Sequence, residues 1–284
     1  MKIAVTAASG ELGAKIVHAL LKVCNKEDII ALARTEKKAQ SLGVKVRSGD
    51  YDAPEKLQDS LQGIDTLLLV SGKEAPELRI QQHRNVLQAA KIAGVSKIVY
   101  TSIQGADEGT AFSPVVQSNR QTEEDVKTSG MQWVIGRNGI YIEPDVEYIE
   151  TYKKAGFISN CAGDGKCGYV TRNELAYAYA RMLLEEKHNG QTYNLHGQSI
   201  TQQQLTDHLS RTFSTNLRYT PLSVAAYRQD RIDELGEFMG IIIAGIYQGI
   251  YEGKSDNESQ FHLAAGREHQ SWTDYFDSLI TTSN

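Results

Sequence analysis

The sequence predicts an α/β fold: a Rossmann-type doubly wound parallel sheet with a smaller, mostly helical C-terminal lobe. Three observations predict it. Short β-branched or aliphatic runs alternate with helical segments through the first half of the chain, the sequence pattern of βαβ units. One run, "TLLLV", is apolar on both faces, as a strand buried between two helix layers requires. A glycine-containing turn, "VTAASGELGAKIV" at residues 5–17, follows the first run and opens a helix.

The predicted strands are 2–7, 29–34, 44–49, 65–72, 97–102 and 133–138, with helices over 11–23, 54–62, 77–93 and 118–129. Gly94 is the expected C-cap of the third helix. After residue 140 the alternation loosens. Residues 169–186 read as a turn feeding a helix with Asn173 as N-cap, and 191–197 as a late strand. A helix over 200–213 has Thr201 as N-cap and Leu205, Leu209 and Phe213 at core spacing. No Pro/Gly/Ser linker interrupts the chain. The expected division is a first domain over 1–140, with sheet elements returning at about 168–198, and a lobe over 141–284.

Composition narrows the function classes. A net charge of −5 and a pI near 5.8 supply no general field for a nucleic acid or an anionic membrane. The longest apolar stretch, residues 238–251, is shorter than the roughly 20 residues a bilayer span needs. It reads as a buried helix or as the roof of a ligand pocket. Met1-Lys2 runs directly into strand-like "IAVTA", without a secretory pattern. Cys24, Cys161 and Cys167 are odd in number and lack CxxC spacing, so reduced thiols in a cytoplasmic protein are expected. Neither these cysteines nor the histidines have metal-ligand spacing, and no metal site is expected.

The opening turn points to a dinucleotide. In a G-x-x-G-x-x-G arrangement the glycines fall at 7, 10 and 13. Gly10 and Gly13 are present, where the backbone must approach a pyrophosphate and the helix must pack on the strand. Ala7 stands at the first place, and alanine serves there if its φ stays negative. Thr6, Ala8, Ser9, Gly10, Glu11, Leu12 and Gly13 are thus candidate cofactor contacts, with the helix N-terminus facing the anion. The second strand ends in Arg34, where an NAD-specific site carries an acid, and Lys37 and Lys38 follow within a turn. A guanidinium there pairs with a 2′-phosphate, so NADP(H) is the preferred cofactor and NAD(H) a tolerated one. Asp50 and Tyr51 follow the third strand, in place to flank an adenine; His83 lies on the helix after Ser71-Gly72 and is a further candidate.

These segments, with "QHRNVLQAAKIAGVSKIVYTS", "GRNGIYIE" and "AGDGKCGYVTRNELA", resemble the NmrA-like branch of atypical short-chain dehydrogenases/reductases. Within it the likeness is greatest to the group of type 2 NAD(P)H:quinone oxidoreductases and triphenylmethane reductases. The resemblance spans nearly the whole chain. It implies an NADPH-binding N-terminal domain, with the acceptor in a cleft beside the C-terminal lobe. By position it puts Gly10, Leu12 and Gly13 on the pyrophosphate, Arg34 on the 2′-phosphate, and Ser71 and Gly72 beside the nicotinamide ribose. Thr101 and Ser102 end the fifth strand, and Asn138, Gly139 and Tyr141 lie where the substrate cleft opens.

Most short-chain dehydrogenases use a Tyr-x-x-x-Lys pair, whose lysine lowers the tyrosine pKa for proton exchange. None of the 14 tyrosines here has a lysine four residues on. Val115 stands at the tyrosine's place and Asn119 at the lysine's, where close relatives tend to have histidine. Ketone reduction and sugar epimerisation need a proton moved near the hydride step. A quinone does not, because hydride addition gives a delocalised phenolate that water protonates later. The leading reading is therefore a reductase of quinones or similar planar acceptors, with Asn119, Asn138 or Tyr141 donating to the acceptor oxygen. The alternative is an NmrA-type NAD(P) sensor that does not turn over. A nucleotide-sugar epimerase is disfavoured by the missing pair. The expected partner is a small planar molecule, not a nucleic acid or a membrane, and a homodimer is compatible with the sequence.

Overall fold

Runs of aliphatic residues bounded by glycine, asparagine and charged turns become the strands of one parallel sheet. The computed structural model describes residues 1–281. Its first half runs β1 (Ile3–Val5), α1 (Glu11–Leu21), β2 (Ile29–Ala33), β3 (Lys45–Ser48), α2 (Pro54–Ser60), β4 (Thr66–Val70), α3 (Pro76–Ala93), β5 (Lys97–Ile103), α4 (Ser113–Lys127) and β6 (Gln132–Asn138). Then follow β7 (Ile140–Tyr141), α5 (Glu143–Glu147), α6 (Ile149–Ala155), β8 (Phe157–Asn160), β9 (Lys166–Cys167), β10 (Tyr169–Val170), α7 (Arg172–Leu184) and β11 (Gln191–Leu195). The chain ends with β12 (Ile200–Thr201), α8 (Gln202–Thr212), β13 (Arg218–Pro221), α9 (Val224–Leu235), α10 (Glu237–Tyr251), α11 (Phe261–Ala265) and α12 (Trp272–Thr281).

The seven-stranded sheet has the order β11-β6-β5-β4-β1-β2-β3, with every pair parallel. From β1 the chain moves outward to β3, then returns to lay β4 on the other side of β1. That reversal opens a crevice beyond the carboxyl ends of β1 and β4, where open α/β sheets bind ligands. Strand residues alternate between two cores. Ile3 and Val5 join Ile16 and Leu20 of α1, Tyr179 and Met182 of α7 and Phe261 of α11. Ala4, Leu67 and Leu69 join Leu57 of α2, Val86 of α3 and Val126 of α4.

The helix ends follow from local chemistry. Gly94 is left-handed at φ +79° and closes α3. Thr201 and Gln204 form a capping box on α8, as the sequence suggests for its N-cap. Two expectations are corrected. Helix α7 is capped by Thr171, whose Oγ1 accepts the Glu174 N–H at 3.1 Å; Asn173 lies inside the helix and accepts Lys15 Nζ at 2.9 Å. Helix α4 begins at Ser113, five residues before its predicted start, because Pro114 fits the first turn, where its missing N–H costs nothing.

The C-terminal lobe has its own core, in which Ile142, Ile158, Tyr169, Leu209, Ile250 and Phe276 pack together. No helix among the described residues is long and apolar enough to cross a membrane. The whole of the long apolar stretch lies within α10. It does not roof the cleft described below: Gly245 lies so close to the loop before α4 that a Cβ would stand 2.5 Å from Phe112 N, and Phe238 and Met239 are exposed.

Asp145 of α5 is buried in this lobe, with its Oδ1 accepting the Tyr152 hydroxyl at 2.9 Å. Burial pushes its carboxyl up to about 6, and the neighbouring Tyr152, Tyr169 and Tyr247 are raised by burial as well and stay neutral. The folded pKa exceeds the unfolded one, so ionisation opposes folding above about pH 6, and that opposition fades as pH falls. Relative to Asp145→Asn, the unaltered protein is expected to gain about 1 kcal/mol of stability between pH 7 and pH 5. Denaturant melts of both proteins at the two pH values check this; a constant difference refutes it.

Candidate active site

The turn after β1 is tight because three backbone contacts hold it. Gly10 N–H donates to Ala7 O at 2.9 Å, Ala8 N–H to Leu32 O at 3.0 Å and Thr6 N–H to Leu68 O at 3.0 Å. Ala7 is left-handed, at φ +47°, which corrects the expectation of a negative φ. The cost to a residue with a Cβ is about 1–2 kcal/mol, and glycine escapes it at an entropic cost of about 0.5–1 kcal/mol. Ala7→Gly is thus expected to stabilise the fold by about 0.5–1 kcal/mol. A thermal melt with an unchanged or lower Tm would contradict this. Gly13 admits no such exchange, since a Cβ would stand 2.5 Å from Ala7 O and 3.0 Å from Ala8 Cα. Gly10 is exposed and caps α1 without a side chain, leaving the first amides of the helix open to an anion.

Above this turn lies a cleft of about 590 Å³. One wall is Ser9, Gly10, Glu11, Leu12 and Gly13; the ends of β2 and β3 add Arg34, Asp50 and Tyr51; β4 and β5 add Ser71, Gly72 and Thr101; Asn138 and Tyr141 close the far end. The volume and the glycine cradle fit a dinucleotide. Arg34 is exposed at the cleft's rim and makes no side-chain hydrogen bond or ion pair with the other described residues. A wider hollow of about 760 Å³, between α4 and residues 253–257, contains none of the residues singled out in the sequence.

Eight expected residues do not line the cleft, Lys37 and Gly139 among them. Thr6 is fully buried, its Oγ1 accepting the Val70 N–H at 2.9 Å and lying 2.5 Å from the Tyr51 oxygen, whose hydrogen Val70 O accepts at 2.8 Å. Ala8 is buried under the turn, and Lys38 is exposed away from the cleft. His83 is fully buried behind Gly72: its Nε2 accepts the Gly72 N–H at 2.9 Å, leaving Nδ1 to donate to Thr122 Oγ1 at 2.9 Å. Burial, aided by Arg79, lowers its pKa to about 3. Ser102 is turned to the far side, where its hydroxyl donates to Glu123 Oε1 at 2.6 Å within the Glu123–Arg137 ion pair. Asn119 is 1 % exposed and sits behind Ser71, so it cannot touch an acceptor in the cleft.

The far end contains a directed set of polar groups. Asn138 Oδ1 and Gly136 O share the Tyr179 hydroxyl hydrogen, at 2.6 and 3.0 Å, and Asn138 Nδ2 faces the Tyr141 oxygen at 3.4 Å. Burial raises the Tyr141 pKa, so the phenol keeps its proton. Arg172 stands over the Tyr141 ring, 5.1 Å from its centroid, and its Nε pairs with Glu11 Oε2 at 2.9 Å. Sequence reasoning missed Arg172, as it did Lys73, Glu74, Gln82 and Ile103 on the cleft wall. The two-residue pairing of β10 with β7, Tyr169 beside Ile140, and the Arg172 N–H bond to Glu143 Oε1 at 2.6 Å bring Arg172 to the cleft, and no sequence period announces so short a pair.

The profile of a family described as NAD(P)H-binding matches residues 7–186. The chain belongs to this NAD(P)H-binding family. The matched stretch contains every residue named on the cleft. Among relatives of this family member, quinone oxidoreductase 2 of Escherichia coli (strain K12) is 37 % identical over 229 residues, 79 % of each chain. The crystal structure of an NADPH-dependent quinone oxidoreductase from Escherichia coli, complexed with NADPH, superposes with a TM-score of 0.90 at 32 % identity, over 98 % of this chain and 99 % of that one. Triphenylmethane reductase from Citrobacter sp., complexed with NADP(H), gives a TM-score of 0.90 at 33 % identity over the whole of both chains. The family's cofactor thus agrees with the glycine cradle and the open helix end at the switch point of the sheet.

Proposed function

We propose that this protein is an NAD(P)H-dependent reductase that passes hydride to a quinone or a similar planar, electron-poor acceptor, with no Tyr-x-x-x-Lys relay. The observation that carries the reading is the state of α4. Where the relay would stand, Asn119 is sealed behind Ser71 and Val115 has no acid, so α4 sends no proton donor into the cleft. The relatives named as quinone oxidoreductases support the same acceptor class.

The bound cofactor supplies the hydride. The protein's own groups bind, orient and balance charge. Gly10 and the first amides of α1 would hold the diphosphate, and Arg34 would hold the 2′-phosphate. Arg172 neutralises Glu11, whose carboxylate would otherwise stand bare beside an anion. Tyr141, accepting from Asn138, has its own hydrogen free for the acceptor oxygen as that oxygen gains charge. Its raised pKa makes it a donor and not a base.

The test is NADPH oxidation with a panel of benzoquinones and naphthoquinones, run beside an NADPH-binding measurement. Turnover with several quinones supports the reading. Tight binding with no turnover on any of them replaces it with the NAD(P)-sensing alternative.

A further inference from the structure

Asn119 occupies the relay lysine's place, yet it touches the cleft only through Ser71. Its amide has one stable orientation. Nδ2 donates to Val115 O, one turn back on α4, at 2.8 Å; turning the amide over would set its oxygen against that carbonyl. Oδ1 therefore faces the sheet, where it accepts the Tyr100 hydroxyl at 2.7 Å and the Ser71 hydroxyl at 3.1 Å. Burial raises the Tyr100 pKa far above neutrality, so Tyr100 stays a donor. The Ser71 N–H is also committed, to Thr101 Oγ1 at 2.9 Å.

A serine hydroxyl has one hydrogen and two lone pairs. With its hydrogen on Asn119 and its N–H on Thr101, Ser71 can offer the cleft only an acceptor. We propose that Asn119 is a positioning residue that turns the Ser71 hydrogen inward, making Ser71 Oγ the acceptor for a hydroxyl or amide N–H of the bound cofactor. A lysine at 119 would do the reverse: its ammonium donates, and the Ser71 hydrogen would swing toward the cleft. The inference rests on the reading that NAD(P)H lies beside Ser71.

The test uses the full chain and NADPH itself, with Kd from calorimetry and Tm from thermal melts. Ser71→Ala and Asn119→Leu are each expected to weaken NADPH binding about 5- to 10-fold, as loss of one hydrogen bond does. The double variant should bind no worse than either single one, because both changes remove the same contact. Asn119→Asp keeps an acceptor for Ser71 but sets its second oxygen against Val115 O. Its Tm should fall while its NADPH Kd stays within about twofold of the unaltered protein. If Asn119→Leu does not fold, Ser71→Ala must still cost about 5- to 10-fold in the Asn119→Asp background. The proposal is overturned if affinity falls in step with Tm across the variants, if the two losses multiply, or if Ser71→Ala leaves the Kd unchanged. Failure of the cofactor reading looks different: the unaltered protein itself would then show no saturable NADPH binding.

Discussion

Arg34→Asp is expected to lower the NADPH-to-NADH ratio of kcat/KM by about 10- to 100-fold, the range for losing one or two charge-assisted hydrogen bonds to phosphate at a solvent-facing site. Arg34 stands at the end of β2, on the rim of the cleft, with no partner among the described residues. No side-chain contact has to break for it to take a phosphate partner. Aspartate there repels that phosphate and accepts from a ribose 2′-hydroxyl instead, so NADPH loses while NADH gains. The residue is exposed, so the change should leave Tm nearly unmoved, which separates specificity from stability. Steady-state kinetics with both cofactors and one quinone check the ratio. An unchanged ratio removes Arg34 from the 2′-phosphate site.

Tyr141→Phe is expected to lower kcat with a quinone by about 10²-fold while leaving the NADPH Kd within about twofold, as loss of one donor to a developing oxyanion does. Phenylalanine keeps the ring under Arg172 and the volume of the site. What is lost is the single hydrogen that the Asn138–Tyr141 contact leaves free. A triarylmethyl cation provides an internal control. It takes hydride without building charge on oxygen, so its rate should be unaffected by the substitution. Equal losses on both acceptors would mean that Tyr141 shapes the cleft instead of donating. No loss on the quinone would remove it from the chemistry.

The two ends of the cleft were unequally legible in the sequence. The dinucleotide end is local: β1, the turn and α1 are consecutive, and Gly10 and Gly13 mark it within a few residues. Arg34 could be placed because β2 runs parallel to β1, with Ile3 beside Ile29, and ends two residues beyond it, alongside the turn. Side-chain direction was less legible. Thr101 and Ser102 are neighbours on β5, yet Thr101 lines the cleft while Ser102 turns to Glu123, because successive strand residues face opposite sides. His83 and Asn119 sit on helices whose rotation about the sheet is set by packing, and both come to rest behind the wall instead of on it.

Fold class, cofactor class and the missing Tyr-x-x-x-Lys pair could all be read along the chain, because strand–helix alternation, the glycine turn and the four-residue spacing are each local in sequence. Only the folded chain shows that Ala7 turns with a positive φ, that Arg172 stands over Tyr141, and that Asn119 is buried with its Oδ1 on the Ser71 hydroxyl. The last two depend on contacts between residues 31 and 48 positions apart, and the first on a turn wedged between three strands, where packing and hydrogen-bond direction set the geometry.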